Sequence, residues 1–235
     1  MNFGLMWREM PPVSKNLLII NLIIWAAINT LGTRLGNTIV EYGALHYFSS
    51  DSFYPYQLFT YMFMHEGFTH LFFNMFALFM FGGIIERTLG SARFLFYYIS
   101  CGLGAALIQE GVFGLMINHY EGMLTPFPTA MNYELTGKIW MLENIPTLGA
   151  SGAIYGILLA FGFLYPRQPI YLMFVPVPIQ ARWMVIGYGV IELLQTLNNN
   201  PSDNVAHLAH LGGMIFGLLM LLYWRHKRII GGYRF

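Results

Sequence analysis

Six apolar stretches, each near the length of a membrane-crossing helix, constrain what this chain can fold into. They run over about 14–33, 58–83, 93–115, 149–166, 180–198 and 205–224. A helix needs roughly 20 predominantly apolar residues to cross the hydrocarbon core of a bilayer. Only 10% of the chain is charged, against 56% hydrophobic, and the charges concentrate between the runs. The expected fold class is therefore an all-α membrane protein with six transmembrane helices. Arg8 and Lys15 before the first run give it the look of a signal peptide. Five further runs and no clear small-x-small cleavage site argue for a retained helix. Cys101 is the single cysteine and sits inside an apolar run, so no internal disulfide is possible.

The basic residues set an orientation, because cytoplasmic loops carry the excess of Lys and Arg. With the N-terminus inside, Arg8, Lys15, Arg87, Arg93, Arg167, Arg182, Arg225, Lys227, Arg228 and Arg234 fall inside. Only Arg34 and Lys138 fall outside. Such a bias requires an even number of spans, and six with both termini cytoplasmic satisfies it. The basic run at 225–228 reads as a membrane anchor, so no nucleic acid is expected as a partner. Two external connections are long, about 34–57 and 116–148. The first is rich in aromatics and is expected in the outer headgroup layer; the second reads as solvated loop.

Polar residues inside the spans need an account, since burying them in lipid is costly. In HEGFTHLFFN, His70 and Asn74 are four apart and share a helical face, with His65 nearer the outer end. Glu86 lies at the inner end of the same run, where a carboxylate bonds loop backbone or pairs with a nearby arginine. The fourth run opens GASG, placing Ser151 among Gly149, Ala150 and Gly152. Glycines there let backbone amides approach a reacting group, and Tyr155 follows one turn later on the same face. The last run carries His207 and His210, then Gly213 and Gly217 in a GxxxG spacing that permits close helix contact. Close contact with the GASG helix would point His210 at that neighbour. Glu110, Glu192 and Gln195 carry no readable role.

In the topology above, His65, His70, Asn74, Ser151 and His210 all fall in the outer half of the membrane. A serine hydroxyl becomes a nucleophile when a base takes its proton, and histidine is the usual base. Acyl transfer then develops an oxyanion, for which His70, Asn74 and the Ser151 backbone amide can serve as donors. No Asp or Glu is placed by spacing to orient His210, so the natural reading is a Ser151–His210 dyad with Tyr155 supporting the histidine ring. Hydrolysis also requires water to reach Ser151 through a wet cavity in the outer half. Two other readings compete: a small transporter lined by these polar groups, which lacks the expected internal repeat, and a structural bundle using them as glue.

The segments GASGAIYG, HEGFTHLFFN and AHLGGMIFG, in this order, resemble the signatures of rhomboid intramembrane serine proteases. The resemblance covers about residues 14–225. It implies Ser151 as nucleophile, His210 as base, His70 and Asn74 as oxyanion donors, and Tyr155 stacked on the histidine. Gly149, Gly152, Gly213, Gly217 and His65 would support these groups, and Glu86 matches a structural position in the family. The implied reaction is hydrolysis of transmembrane protein substrates near their outer ends, after a small residue, with no cofactor and no metal. The fifth helix and residues 199–205 would form the gate. The alternative is a rhomboid-like protein that binds transmembrane helices without cutting them, although such proteins typically lack the serine or the histidine. Many relatives carry Trp-Arg in the first external loop where this chain has Tyr56-Gln57; the aromatic is kept and the cation lost. His207 reads as a cap residue nearer the headgroups. The expected organisation is a single domain over 1–235 without an added soluble domain, in a bacterial inner membrane.

Overall fold

A computed structural model of the protein describes residues 3–171, 177–198 and 207–230. Among these, the long helices are α1 (Pro12–Thr30), α2 (Thr33–Gly43), α3 (Phe68–Leu89), α4 (Ser91–Met123), α5 (Ala130–Asn144), α6 (Ser151–Leu164), α7 (Ala181–Asn198) and α8 (His207–His226). Four of them, α1, α3, α4 and α8, are long and apolar enough to cross a membrane. Helix α6 is apolar but has only 14 residues, about 21 Å at 1.5 Å per residue. Helix α7 has 18 residues but is diluted by Arg182, Glu192 and Gln195. The six spans expected from the sequence, each near membrane-crossing length, are thus uneven in the fold.

The corrections have local causes. The second run is not continuous from residue 58: short helical turns over Gln57–Thr60 and Tyr61–Phe63 end at an extended Met64, and α3 starts only after an extended Gly67. Helix α3 contains a π-helical turn at Leu78–Gly82. Helix α4 continues eight residues beyond the expected end at residue 115, since no proline interrupts it before Pro126. The second external connection is not plain loop, because α5 lies within it, its first turn capped by Thr129 Oγ1 accepting from the Asn132 amide at 3.1 Å. Nor is the chain wholly α. Strands β1 (Pro169–Ile170) and β2 (Ile179–Gln180) pair antiparallel between α6 and α7, in a proline-rich stretch that cannot stay helical.

Helix α8 is the centre of the bundle, packed chiefly against α4 and α6. The contacts are close because small residues face one another. A Cβ on Gly104 of α4 would fall on the Phe216 ring of α8, and one on Gly156 of α6 would lie 2.7 Å from Cys101 Cβ of α4. Tyr97 of α4 is fully buried and donates its hydroxyl to the Gly156 carbonyl at 2.8 Å. Outward faces are apolar, with Ile20 and Ile23 on α1, Phe72 and Phe76 on α3, and Leu193 and Leu194 on α7 all exposed, as lipid contact requires.

At one end of the bundle, the Glu86 carboxylate closes the N-terminus of α1. It accepts from the Val13 amide at 3.0 Å, the Ser14 amide at 2.7 Å and the Ser14 hydroxyl at 2.7 Å, and from Ser91 Oγ at 2.7 Å. The first amides of a helix lack intrahelical acceptors and carry a partial positive charge, so a buried carboxylate fits there. Of the two sequence readings of Glu86, backbone bonding is the one observed. The loop between α2 and α3 is held by Gln57, which is fully buried. Its Oε1 accepts from the amides of His46 and Tyr54, and its Nε2 donates to the carbonyls of Tyr42 and Ser52. Tyr56 is exposed and stacks on Tyr54 at 5.5 Å.

Candidate active site

Ser151 is the first residue of α6. The chain reaches it in an extended form, fixed on both sides: Leu45 and Thr147 exchange amide–carbonyl bonds of 2.9 and 2.8 Å, and the Gly149 amide donates to the Tyr61 carbonyl at 2.9 Å. Gly149 has φ +127°, a conformation that side chains rarely tolerate. A Cβ there would also lie 2.8 Å from His70 Nε2. The glycine before Ser151 therefore lets the His70 ring sit directly against the backbone that leads into the serine.

Helix α8 brings the second group. A Cβ on Gly213 would strike the carbonyl of Gly152, and one on Gly152 would lie 3.4 Å from the Ala209 carbonyl. The α6–α8 backbones thus touch at Gly152 and Gly213. His210 lies one turn before Gly213 on that face, and its Nε2 is 2.8 Å from Ser151 Oγ. His210 is buried while Ser151 keeps partial exposure. Gly217 serves a different contact from the one expected: a Cβ there would meet the Tyr97 hydroxyl and lie 3.2 Å from Cys101 Sγ, both on α4. Tyr155, one turn along α6, stacks on the His210 ring with centroids 4.3 Å apart and 7° between planes.

His70 and Asn74 stand on one face of α3. Asn74 is buried and spends one amide hydrogen on the His70 carbonyl at 3.0 Å, leaving its second hydrogen for another acceptor. The buried His65 ring lies edge-on to the His70 ring at 5.0 Å, backing it from the loop side. The proposed gate residues 199–205 lie outside the described residues.

The sequence reading gave no role to Glu192, yet α7 carries it into this cluster. It is 5% exposed. Tyr155 donates its hydroxyl to Oε1, His207 Nδ1 stands 2.5 Å from Oε2, and His210 Nδ1 stands 3.1 Å from Oε2. The expectation that no carboxylate lies beside His210 is corrected, and His207 turns toward Glu192 rather than acting as a free cap. The missed signal was available, since an ionisable residue within an apolar span is a functional candidate by default. What spacing could not give was its partner, which sits on another helix. Glu192, His207 and His210 also offer ligand atoms within 4.8 Å of one another, the one set of this kind among the described residues.

The helical bundle thus brings a serine and a histidine from two touching helices into hydrogen-bond contact. The Rhomboid domain family model matches residues 52–227, and the chain belongs to the rhomboid family. It is 34% identical over 161 residues to the rhomboid protease AarA of Providencia stuartii, covering 68% of this chain and 52% of that protein. It is 33% identical over 159 residues to the mitochondrial RHOMBOID-like protein 12 of Arabidopsis thaliana, covering 66% and 42%. Over 233 residues it is 22% identical to the rhomboid protease GlpG of Salmonella typhi, covering 93% and 69%. The chain spans about half the length of the AarA and RHOMBOID-like protein 12 relatives. Family and apolar helices together make it an integral, multi-pass membrane protein.

Proposed function

We propose that this protein is an intramembrane serine endopeptidase that cleaves transmembrane segments of other membrane proteins near their outer ends. The observation that carries the reading is the 2.8 Å contact of Ser151 Oγ with His210 Nε2, on a helix start that glycine leaves uncrowded. In this reading Ser151 Oγ attacks the scissile carbonyl carbon and passes its proton to His210 Nε2. The oxyanion so formed takes hydrogen bonds from the Ser151 amide, the free Asn74 amide hydrogen and His70. Collapse expels the amine, which takes the proton from His210, and water then hydrolyses the acyl-enzyme by the same route in reverse. Six helices, α1, α3, α4, α6, α7 and α8, cross the bilayer with both termini cytoplasmic. They form one domain whose core is about 14–225, in a bacterial inner membrane. No cofactor enters the reaction, and a small residue is favoured before the cut.

Membership in a family whose relatives include proteins named as rhomboid proteases supports this reading. The test is labelling of the purified protein in detergent by a fluorescent fluorophosphonate, beside cleavage of a single-span reporter with Ala or Ser near its outer boundary. Wild type labels and cuts; folded Ser151→Ala and His210→Ala do neither. A folded wild type that neither labels nor cuts any reporter would leave a non-proteolytic binder of transmembrane helices as the reading.

A further inference from the structure

A carboxylate in an apolar helix is costly to place. Helix α7 nevertheless turns Glu192 inward while Ile191, Leu193 and Leu194 around it stay exposed. The two carboxylate oxygens are used differently. Oε1 accepts from the Tyr155 hydroxyl of α6. Oε2 faces two imidazoles of α8, with His207 Nδ1 at 2.5 Å and His210 Nδ1 at 3.1 Å. The two histidines are three residues apart and so share a helical face. His210 Nδ1 is buried and makes no hydrogen bond, and burial makes an orphaned polar atom costly. A nitrogen lone pair or proton thus points into a cluster of ligand-type atoms with nothing aligned to meet it. The side chains of Glu192, His210 and His207 are 6%, 9% and 14% exposed, so the cluster opens to its surroundings on the His207 side.

We propose that Glu192 Oε2, His207 Nδ1 and His210 Nδ1 form a binding site for zinc or a similar divalent transition-metal ion, and that the bound ion switches the serine–histidine pair off. The switching half of the inference rests on the proteolytic reading above. The three ligand atoms lie within 4.8 Å of one another. Atoms bound to one tetrahedral zinc at about 2.0–2.2 Å stand roughly 3.3 Å apart, a spacing the His210 contact nearly meets. The His207 contact must widen as its proton leaves for solvent and the ion takes its place, and the soft terminal torsion of the glutamate permits this. Two imidazoles and a carboxylate, with a fourth position left for water, make a zinc donor set; magnesium and calcium take oxygen ligands. The outer partners fit as well. Metal-bound carboxylates and histidines are held by hydrogen bonds at their remaining atoms. Here Tyr155 holds Oε1, and Ser151 Oγ stands 2.8 Å from His210 Nε2. A neutral imidazole carries its proton on one nitrogen only. An ion on His210 Nδ1 leaves that proton on Nε2, where it donates to Ser151 Oγ and blocks acceptance of the serine proton. Ser151 then has no base until the ion is removed.

The experiment uses the full chain in detergent. Zinc binding is measured by competition with a chromogenic chelator, and fluorophosphonate labelling is followed at buffered free zinc, each protein being compared with its own rate in excess chelator. Wild type should bind a single zinc per chain and label more slowly as zinc rises, with full recovery on chelation. Magnesium at the same concentrations should do neither. Loss of an outer hydrogen-bond partner alone weakens a metal site by about 10–100-fold, so loss of a ligand in His207→Ala should raise both the dissociation constant and the half-inhibitory zinc concentration at least about a hundredfold. Equal zinc affinity in wild type and His207→Ala, or no binding by wild type at micromolar free zinc, overturns the site. Zinc bound in wild type without any slowing of labelling overturns the switch. X-ray absorption of zinc-loaded wild type should show nitrogen and oxygen neighbours with two imidazoles; fewer than two overturns the site even where His207→Ala does not fold. A wild type that never labels in chelator sinks the proteolytic reading, and the chelator competition and X-ray absorption then decide the metal site by themselves.

Discussion

The Tyr155 ring lies flat on the His210 ring, 4.3 Å away and within 7° of parallel, while its hydroxyl donates to Glu192. One side chain therefore restrains both the histidine and the carboxylate beside it. Aromatic stacking contributes about 0.5–1.5 kcal/mol beyond burial, or roughly two- to tenfold in rate. Tyr155→Phe keeps the stack and loses the hydroxyl; Tyr155→Leu loses both. Labelling by fluorophosphonate should slow for phenylalanine and slow further, by at least about that factor, for leucine. A leucine variant as fast as wild type would remove Tyr155 from the site.

Gly213→Ala forces a methyl group onto the Gly152 carbonyl. Backbone cannot yield as a flexible side chain does, so α6 and α8 must separate and Ser151 and His210 with them. Overpacking of this kind costs about 1–3 kcal/mol. The expected result is a lower thermal midpoint together with loss of labelling in molecules that remain folded. Gly217→Ala instead presses on the Tyr97 hydroxyl, and its effect should fall mainly on the thermal midpoint. Equal labelling loss in the two would mean that the α6–α8 contact has no special bearing on the site.

Glu86→Ala strands the Val13 and Ser14 amides and the hydroxyls of Ser14 and Ser91. Each buried group left without a partner costs about 1–3 kcal/mol. The variant should unfold at distinctly lower temperature while its folded fraction labels like wild type, because nothing in the serine–histidine cluster touches Glu86. A scan of thermal stability alongside labelling separates the two effects; retained stability would contradict the capping role.

Gln57→Ala removes both halves of an amide that ties together Tyr42, His46, Ser52 and Tyr54. The loop between α2 and α3 should loosen, seen as faster limited proteolysis within residues 44–56. The loop also pins Thr147 through Leu45, so labelling should weaken as well. Unchanged proteolysis would show that the loop is held by its aromatic contacts alone. This chain fastens the loop with a neutral amide.

Much of the candidate site's arrangement was legible because its signals are local. Ser151 among small residues, His70 and Asn74 at helical spacing, and His210 one turn before a glycine each follow from a single segment. Tyr155 one turn after Ser151 is equally local, while its stack on His210 was implied by the family resemblance and not by spacing. The uneven helices were less legible. In the run at 58–83 only His65, Glu66 and Gly67 mark the break at Met64–Gly67, and polar residues in an apolar run do not by themselves say where a helix starts.

The sequence by itself determined the class of fold, since apolar runs with charges between them leave a helical membrane bundle as the outcome, and it marked which segments can approach a neighbour closely, because glycine removes the atoms that would hold helices apart. Tertiary structure alone decided what Gly217 touches, how Glu86 is used and that Glu192 stands beside His210. Those depend on the rotation and depth of one helix against another. Periodicity within a segment fixes a residue's face, but which face meets which neighbour is set by packing among helices far apart in the chain.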